Sequence, residues 1–294
     1  MSLLDDEPSL PNLPPGQHIN LPGRGTTYIR QLDGPAGAPT LMLLHGWTAT
    51  ADLNWFTCYN ELAKHFRVVA IDHRGHGRGI RSAQPFRLSD CADDVAALAD
   101  QLNIATFIPV GYSMGGAIAQ LMWKRHESRV RALVLCSTSG YFAESREERI
   151  GFLGLQGLGA LARLTPKAAL DWISEELYVQ RKTATWDPWA MQQAANHDWQ
   201  QVLEAGAALG NYDAREWLGT IDVPTSVVIT GQDHVVATSR QEELVLSING
   251  ATKRRLEADH DAVYTHSAEF VPLLVAACLE VSDLNNPRTA TPLS

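Results

Sequence analysis

Cysteine is scarce in this 294-residue chain: four, Cys58, Cys91, Cys136 and Cys278, stand at scattered positions. None shares a disulfide-framework or metal-ligand spacing with another, so the expectation is isolated buried thiols in a reducing compartment, neither a stapled secreted fold nor a zinc site. Long apolar runs are also missing. The richest windows, residues 151–164 and 270–279, are too short or too interrupted to cross a bilayer. The opening Met1-Ser2-Leu3-Leu4-Asp5-Asp6-Glu7-Pro8 lacks the positive start and apolar core of a secretory signal. Positive charge is outnumbered, 24 Lys and Arg against 33 Asp and Glu, and the formal net charge of −9 disfavours a nucleic-acid surface and a polybasic membrane anchor. Together these absences lead to the expectation of a cytoplasmic protein that acts on a small molecule; the oligomeric state is left open. Two further patterns fall short. His73 and His76 within Asp72-His73-Arg74-Gly75-His76 have no second ligand cluster, so no metal is expected. The glycines of 111–116 match neither a P-loop nor a dinucleotide fingerprint, so no cofactor is expected either.

What is present is the composition of a globular protein, 45% hydrophobic and 19% charged, with enough residues for one large core carrying an insertion. Residues 1–16 combine four prolines and three carboxylates without periodicity and read as a flexible tail. Alternating runs within 17–31 around Pro22-Gly23-Arg24-Gly25 predict a hairpin. Short continuous apolar runs predict strands buried on both faces at Thr40–Leu44, Arg67–Ile71 and Pro224–Thr230, and further strands are read at Thr106–Val110, Val130–Cys136 and, last in the chain, Thr252–Glu257. Helical patterns separate them at Asp52–His65, Leu88–Leu102 with Ser89 as its cap, Met114–His126, Thr238–Leu246 and Ala268–Leu279. This alternation implies a parallel sheet with helices on both faces, in which ligands bind at the carboxyl ends of the strands. It breaks between 139 and 220. There the chain reads as helices alone (Glu144–Leu164, Pro166–Val179, Asp187–Asn196, Asp198–Leu209) and holds five of the eight tryptophans. The expected organisation is a core of 17–138 and 221–281, a helical cap of 139–220 and a C-terminal tail of 282–294.

One stretch carries chemistry. In Ile108-Pro109-Val110-Gly111-Tyr112-Ser113-Met114-Gly115-Gly116-Ala117 an apolar run stops at a glycine-flanked serine and resumes as a helix. A serine hydroxyl is a weak nucleophile unless projected from a sharp turn toward a base and toward donors for an oxyanion, and glycines at 111 and 115 permit that turn. The bare Gly-x-Ser-x-Gly pattern arises by chance in roughly one chain in ten of this length, so its surroundings decide.

Those surroundings resemble the α/β-hydrolase family over about residues 27–280. His45-Gly46-Trp47 ends the third strand, Gly111-Tyr112-Ser113-Met114-Gly115 the fifth, and Asp233 and then His260 follow the last two; Asp72-His73-Arg74-Gly75-His76-Gly77 looks like the family's Asp-x-Arg-Gly-x-Gly turn. The order Ser, Asp, His sets this family apart from other serine-triad folds. The resemblance implies an α/β-hydrolase fold: a mostly parallel twisted sheet with helices on both faces and a helical lid between strands 6 and 7. It implies Ser113 as nucleophile, His260 as general base and Asp233 as the acid orienting it. The backbone N–H groups of Trp47 and Met114 would form the oxyanion hole, and the Trp47 indole would either wall the pocket or serve packing. His45 and Tyr112 are expected in structural roles. Many family members have glycine before the histidine. Here Asp259 puts a second carboxylate beside His260, either to raise the imidazole pKa or to face solvent.

The expected activity is a serine hydrolase acting on a carboxylic ester of small to medium, mostly apolar character. C–C bond hydrolysis, lactone opening and perhydrolysis on the same triad are the alternatives, and a ligand-binding receptor with a slow triad is the alternative from another class. An Asp nucleophile, as in haloalkane dehalogenases and epoxide hydrolases, is disfavoured by Ser113.

Overall fold

A computed structural model describes residues 11–162 and 187–283. Eight strands form one sheet in the order β1-β2-β4-β3-β5-β6-β7-β8. β1 (Gly16–Leu21) and β2 (Gly25–Leu32) are the expected hairpin, and β2 pairs antiparallel with β4 (Arg67–Ile71). β3 (Thr40–Leu44), β4, β5 (Ile108–Tyr112), β6 (Leu133–Cys136), β7 (Thr225–Thr230) and β8 (Thr252–Leu256) run parallel.

The inner parallel strands β3 and β4 are almost continuously buried because each face of the sheet has its own core, whereas β8, Thr-Lys-Arg-Arg-Leu at the sheet edge, is only partly buried. In β3, Leu41 and Leu43 belong to one apolar cluster and Met42 and Leu44 to the other; in β4, Val68 and Ala70 are divided from Val69 and Ile71 in the same way. Helices α1 (Ala51–Trp55), α2 (Tyr59–Ala63), α9 (Ala262–Thr265) and α10 (Ser267–Ser282) cover one face. On the other face lie α3 (Leu88–Gln101), α4 (Met114–Arg125) and α8 (Thr238–Ser247). Between β6 and β7 run α5 (Arg146–Ala162), α6 (Asp187–Ala195) and α7 (Trp199–Gly210), the last capped by the Asp198 carboxylate, which accepts from the Gln201 N–H. The four cysteines are buried and free. Among the described residues, no helix is long and apolar enough to cross a membrane.

Some expected boundaries move. The helix expected over Asp52–His65 is split into α1 and α2, with Phe56–Cys58 turning between them. Ser89 is not a cap: α3 starts at Leu88, and Arg87 precedes it in extended conformation without a side-chain cap. β5 extends to Tyr112 because Gly111 and Tyr112 pair with Leu135 and Cys136 of β6. Residues 11–15, assigned to a tail, are tied down: Leu13 is partly buried against the core, Pro14 is buried, and the Pro14 carbonyl accepts from Arg30. The tail segments 1–10 and 284–294 and the helix expected at Pro166–Val179 lie outside the described residues.

Candidate active site

The elbow is built by a strand and a helix approaching too closely for side chains. A Cβ on Gly111 would lie 2.2 Å from the Gly115 carbonyl oxygen, and one on Gly115 would lie 2.0 Å from that of Leu44. Backbone fills both spaces, so only glycine fits. Between them Ser113 takes φ 54° and ψ −117°, a region costing a non-glycine residue of order 1–3 kcal/mol. Neighbouring bonds hold it there: the Ser113 N–H donates to the Cys136 carbonyl (2.9 Å), and its carbonyl accepts from Thr138 Oγ1 (2.7 Å).

Loops after β7 and β8 bring two partners to this serine. His260 Nε2 lies 3.0 Å from Ser113 Oγ, and His260 Nδ1 lies 2.8 Å from Asp233 Oδ2. An ionised carboxylate only accepts, so the ring proton sits on Nδ1 and Nε2 is left to accept from the serine hydroxyl. Asp233 is thoroughly supplied with donors. Its Oδ1 accepts from the N–H groups of Val235 (2.8 Å) and Val236 (2.7 Å), and its Oδ2 also accepts from Thr230 Oγ1 (2.6 Å) and Gln241 Nε2 (3.0 Å). Burial pushes this carboxyl up, but the His260, Thr230 and Val236 hydrogen bonds and the imidazole charge outweigh it and hold the group below its ordinary value. The His260 backbone is held too, its carbonyl accepting from the Tyr112 hydroxyl at 2.5 Å.

The turn after β3 lies against the serine: a Cβ on Gly46 would come within 3.4 Å of the Ser113 Cβ. The Gly46 N–H donates to Asn54 Oδ1 (2.9 Å), and Thr48 sits at φ 58°. Met114 is the first residue of α4, where an N–H has no carbonyl one turn back and the helix dipole is positive. The partly buried Trp47 indole packs onto α7, donating to the Val202 carbonyl at 2.7 Å, and a Cβ on Gly206 would meet its Cζ2 at 2.7 Å and Leu155 Cδ1 at 2.6 Å. Of the two expected uses of this indole, the contacts are those of packing. Asp259 faces solvent, the second of its two expected roles, its side chain 46% exposed, but it is also tied into the loop. Its carboxylate accepts from the N–H groups of His234 (2.9 Å) and His260 (2.7 Å) and pairs with His234 Nδ1 (2.9 Å). Thr230, Gln241, Thr138 and Asn54 were not picked out by the sequence motifs. Thr230, three residues before Asp233 at the strand end, offered the one readable hint.

Beside the site, four imidazoles are buried together. The rings of His45 and His73 stand 4.4 Å apart, His45 and His76 5.4 Å, and His76 and His197 5.5 Å. His45 is structural as expected, accepting from the His73 N–H at 2.9 Å and donating to the Gly46 carbonyl. Burial, reinforced by neighbouring imidazoles and by Arg74, pushes His73 down to about 3; burial also takes His197 down to about 4 and lowers His45 and His76. These rings stay neutral in the folded chain, whereas in the unfolded chain they take up protons near pH 6.5. Below that pH the unfolded state binds more protons, so stability declines as the pH falls from about 6.5, with the His197 contribution lost down to about pH 4 and that of His73 to about pH 3. Urea midpoints at pH 7.5, 6 and 5 check this: they are expected to drop steadily, and a constant midpoint would contradict it.

A serine at a strained strand-to-helix turn, an imidazole and a carboxylate, all at carboxyl ends of a mostly parallel sheet, define the hydrolase class of α/β proteins. Residues 39–267 match the family model described as alpha/beta hydrolase fold, and the chain belongs to that family. It is similar to the AB hydrolase superfamily protein YisY of Bacillus subtilis, 27% identical over 78% of this chain and 86% of that protein. A non-heme chloroperoxidase of Streptomyces lividans is 28% identical over 86% of this chain and 96% of its own. The solved structure of a thermophilic esterase from Thermogutta terrifontis has a TM-score of 0.75 over 90% of this chain and 99% of that one; at 20% identity the likeness is one of fold.

Proposed function

We propose that the protein is a serine hydrolase that cleaves a carboxylic ester of a small to medium, mostly apolar substrate through an acyl-enzyme on Ser113. The observation that carries this reading is the continuous line from Ser113 Oγ through the His260 ring to Asp233, at 3.0 and 2.8 Å. His260 Nε2 takes the hydroxyl proton as Ser113 Oγ bonds to the carbonyl carbon. The C=O pair moves onto oxygen, between the N–H groups of Trp47 and Met114. The tetrahedral intermediate then collapses: the C–O bond to the alcohol breaks, and His260 returns the proton to the departing oxygen. Water, deprotonated by the same imidazole, repeats the sequence and releases the acid. Asp233 keeps Nδ1 protonated and offsets the imidazolium charge. The described helices α5, α6 and α7 serve as a cap, with Phe152 and Leu155 of α5 gathered near Trp47 and α7, which favours an apolar acyl group.

Two measurements test the reading. A fluorophosphonate probe should label the native protein and leave Ser113→Ala unlabelled; an unlabelled native protein, correctly folded, would end the serine reading. A kcat/KM series over p-nitrophenyl esters of increasing acyl length, run beside a lactone, a vinylogous diketone and peracid formation from acetate and peroxide, assigns the subclass. Esters should lead by at least about tenfold, a gap of about 1.4 kcal/mol in transition-state stabilisation.

A further inference from the structure

The residue before the base carries a carboxylate, and its contacts have a direction. Asp259 sits in the loop after β8, yet one of its carboxylate oxygens accepts from two peptide N–H groups on different loops: that of His234, next to Asp233, and that of His260 itself. The second oxygen pairs with the His234 ring. The two loops are also joined further from the serine, where the Gly231 N–H donates to the Leu256 carbonyl (2.7 Å) and the Gln232 N–H to that of Ala258 (3.0 Å). Asp259 continues this stitching up to the residues that face each other across the 2.8 Å contact between Asp233 and His260. At His260 the backbone is then gripped from both sides, its N–H by Asp259 and its carbonyl by Tyr112.

From this geometry we infer that Asp259 is a positioning residue for the reaction: its carboxylate clamps the acid loop to the base loop and holds His260 at reacting distance from Ser113 before substrate binds. The inference rests on the serine-hydrolase reading of Ser113. Asp259 touches no reacting atom; it acts through the peptides of His234 and His260. Burial raises its carboxyl, but the donors from His234 and His260 outweigh that and hold it below the usual range, so it stays an acceptor at neutral pH. Reacting groups held only loosely forfeit effective concentration, and a displacement of about 1 Å can cost on the order of 100-fold in rate. The clamp should therefore appear in kcat and not in KM.

Asp259→Ala removes both acceptors and is expected to lower kcat by about 10- to 100-fold with KM within about twofold. Asp259→Asn keeps an oxygen for the two N–H groups and loses the charge. It should recover most of the rate and leave the acid limb of the kcat/KM profile in place. If Asn is as damaging as Ala and the acid limb moves to lower pH, the carboxylate works by its charge on the imidazole and the clamp is refuted; wild-type kcat in Asp259→Ala refutes it as well. Should the alanine variant fail to fold, Asp259→Gly removes the same oxygens and must show the same kcat loss. Failure of the native protein to take a fluorophosphonate label on Ser113 would instead remove the underlying reading, whatever residue 259 does.

Discussion

Ser113→Ala is expected to lower kcat for p-nitrophenyl esters by about six orders of magnitude, the loss typical when a nucleophile that works as a unit with its base is removed. No other group can replace it: the oxygen 3.0 Å from His260 Nε2 is the one whose proton the imidazole is placed to take. Stability should hardly change. Alanine meets the same strain as serine at φ 54°, and the bonds that enforce the turn, to the Cys136 carbonyl and from Thr138, belong to the backbone of residue 113. A residual rate within a hundredfold of the native one would show that some other group attacks the substrate. A melting temperature that drops by more than a few degrees would show that the hydroxyl also serves the fold.

Asp233→Asn should lower kcat by about 10⁴-fold, and the donors around the carboxylate explain why so small a change does so much. An asparagine at 233 has two ways to lie. Its NH₂ cannot face the N–H groups of Val235 and Val236, because these backbone donors cannot turn away. The NH₂ must therefore take the place of Oδ2, facing Thr230, Gln241 and His260 Nδ1. Nδ1 then has to accept, the ring proton moves to Nε2, and the base points a proton at the hydroxyl it should deprotonate. The pH–rate profile under single-turnover conditions checks the argument: kcat falls with KM little affected. Near-native activity in Asp233→Asn would mean that another acid serves His260.

How far such a site can be read from sequence depends on where its information lies. Ser113 and Asp233 could be singled out because each follows a strand buried on both faces, whereas His260 follows the partly exposed edge strand β8 and was singled out by its place in the order Ser, Asp, His. The apolar runs of β3, β4 and β7 stand out without any knowledge of their neighbours. The start of β3 at Thr40 and its end at Leu44 coincide with the expected bounds for that reason. Less was legible where a contact spans distant segments. Gln241 reaches Asp233 from α8, and Asp259 serves a peptide 25 residues earlier, so no local pattern marks either. The break between α1 and α2 was missed because Phe56, Thr57 and Cys58 carry no glycine or proline to announce a turn; the Thr57 hydroxyl instead bonds to the Val263 carbonyl across the molecule.

The joint between Trp47 and α7 bears on how this protein can diverge. The indole at 47 occupies the space that any side chain at 206 would need, and its N–H spends itself on a carbonyl of the same helix. Positions 47, 155 and 206 thus constrain one another: a side chain at 206 must displace both the Leu155 methyl and the indole, and an indole at 47 packs best opposite a glycine. Variation at this joint is accordingly conditional, and libraries that randomise 47, 155 and 206 together reach packings of α7 on the turn after β3 that single-site libraries cannot.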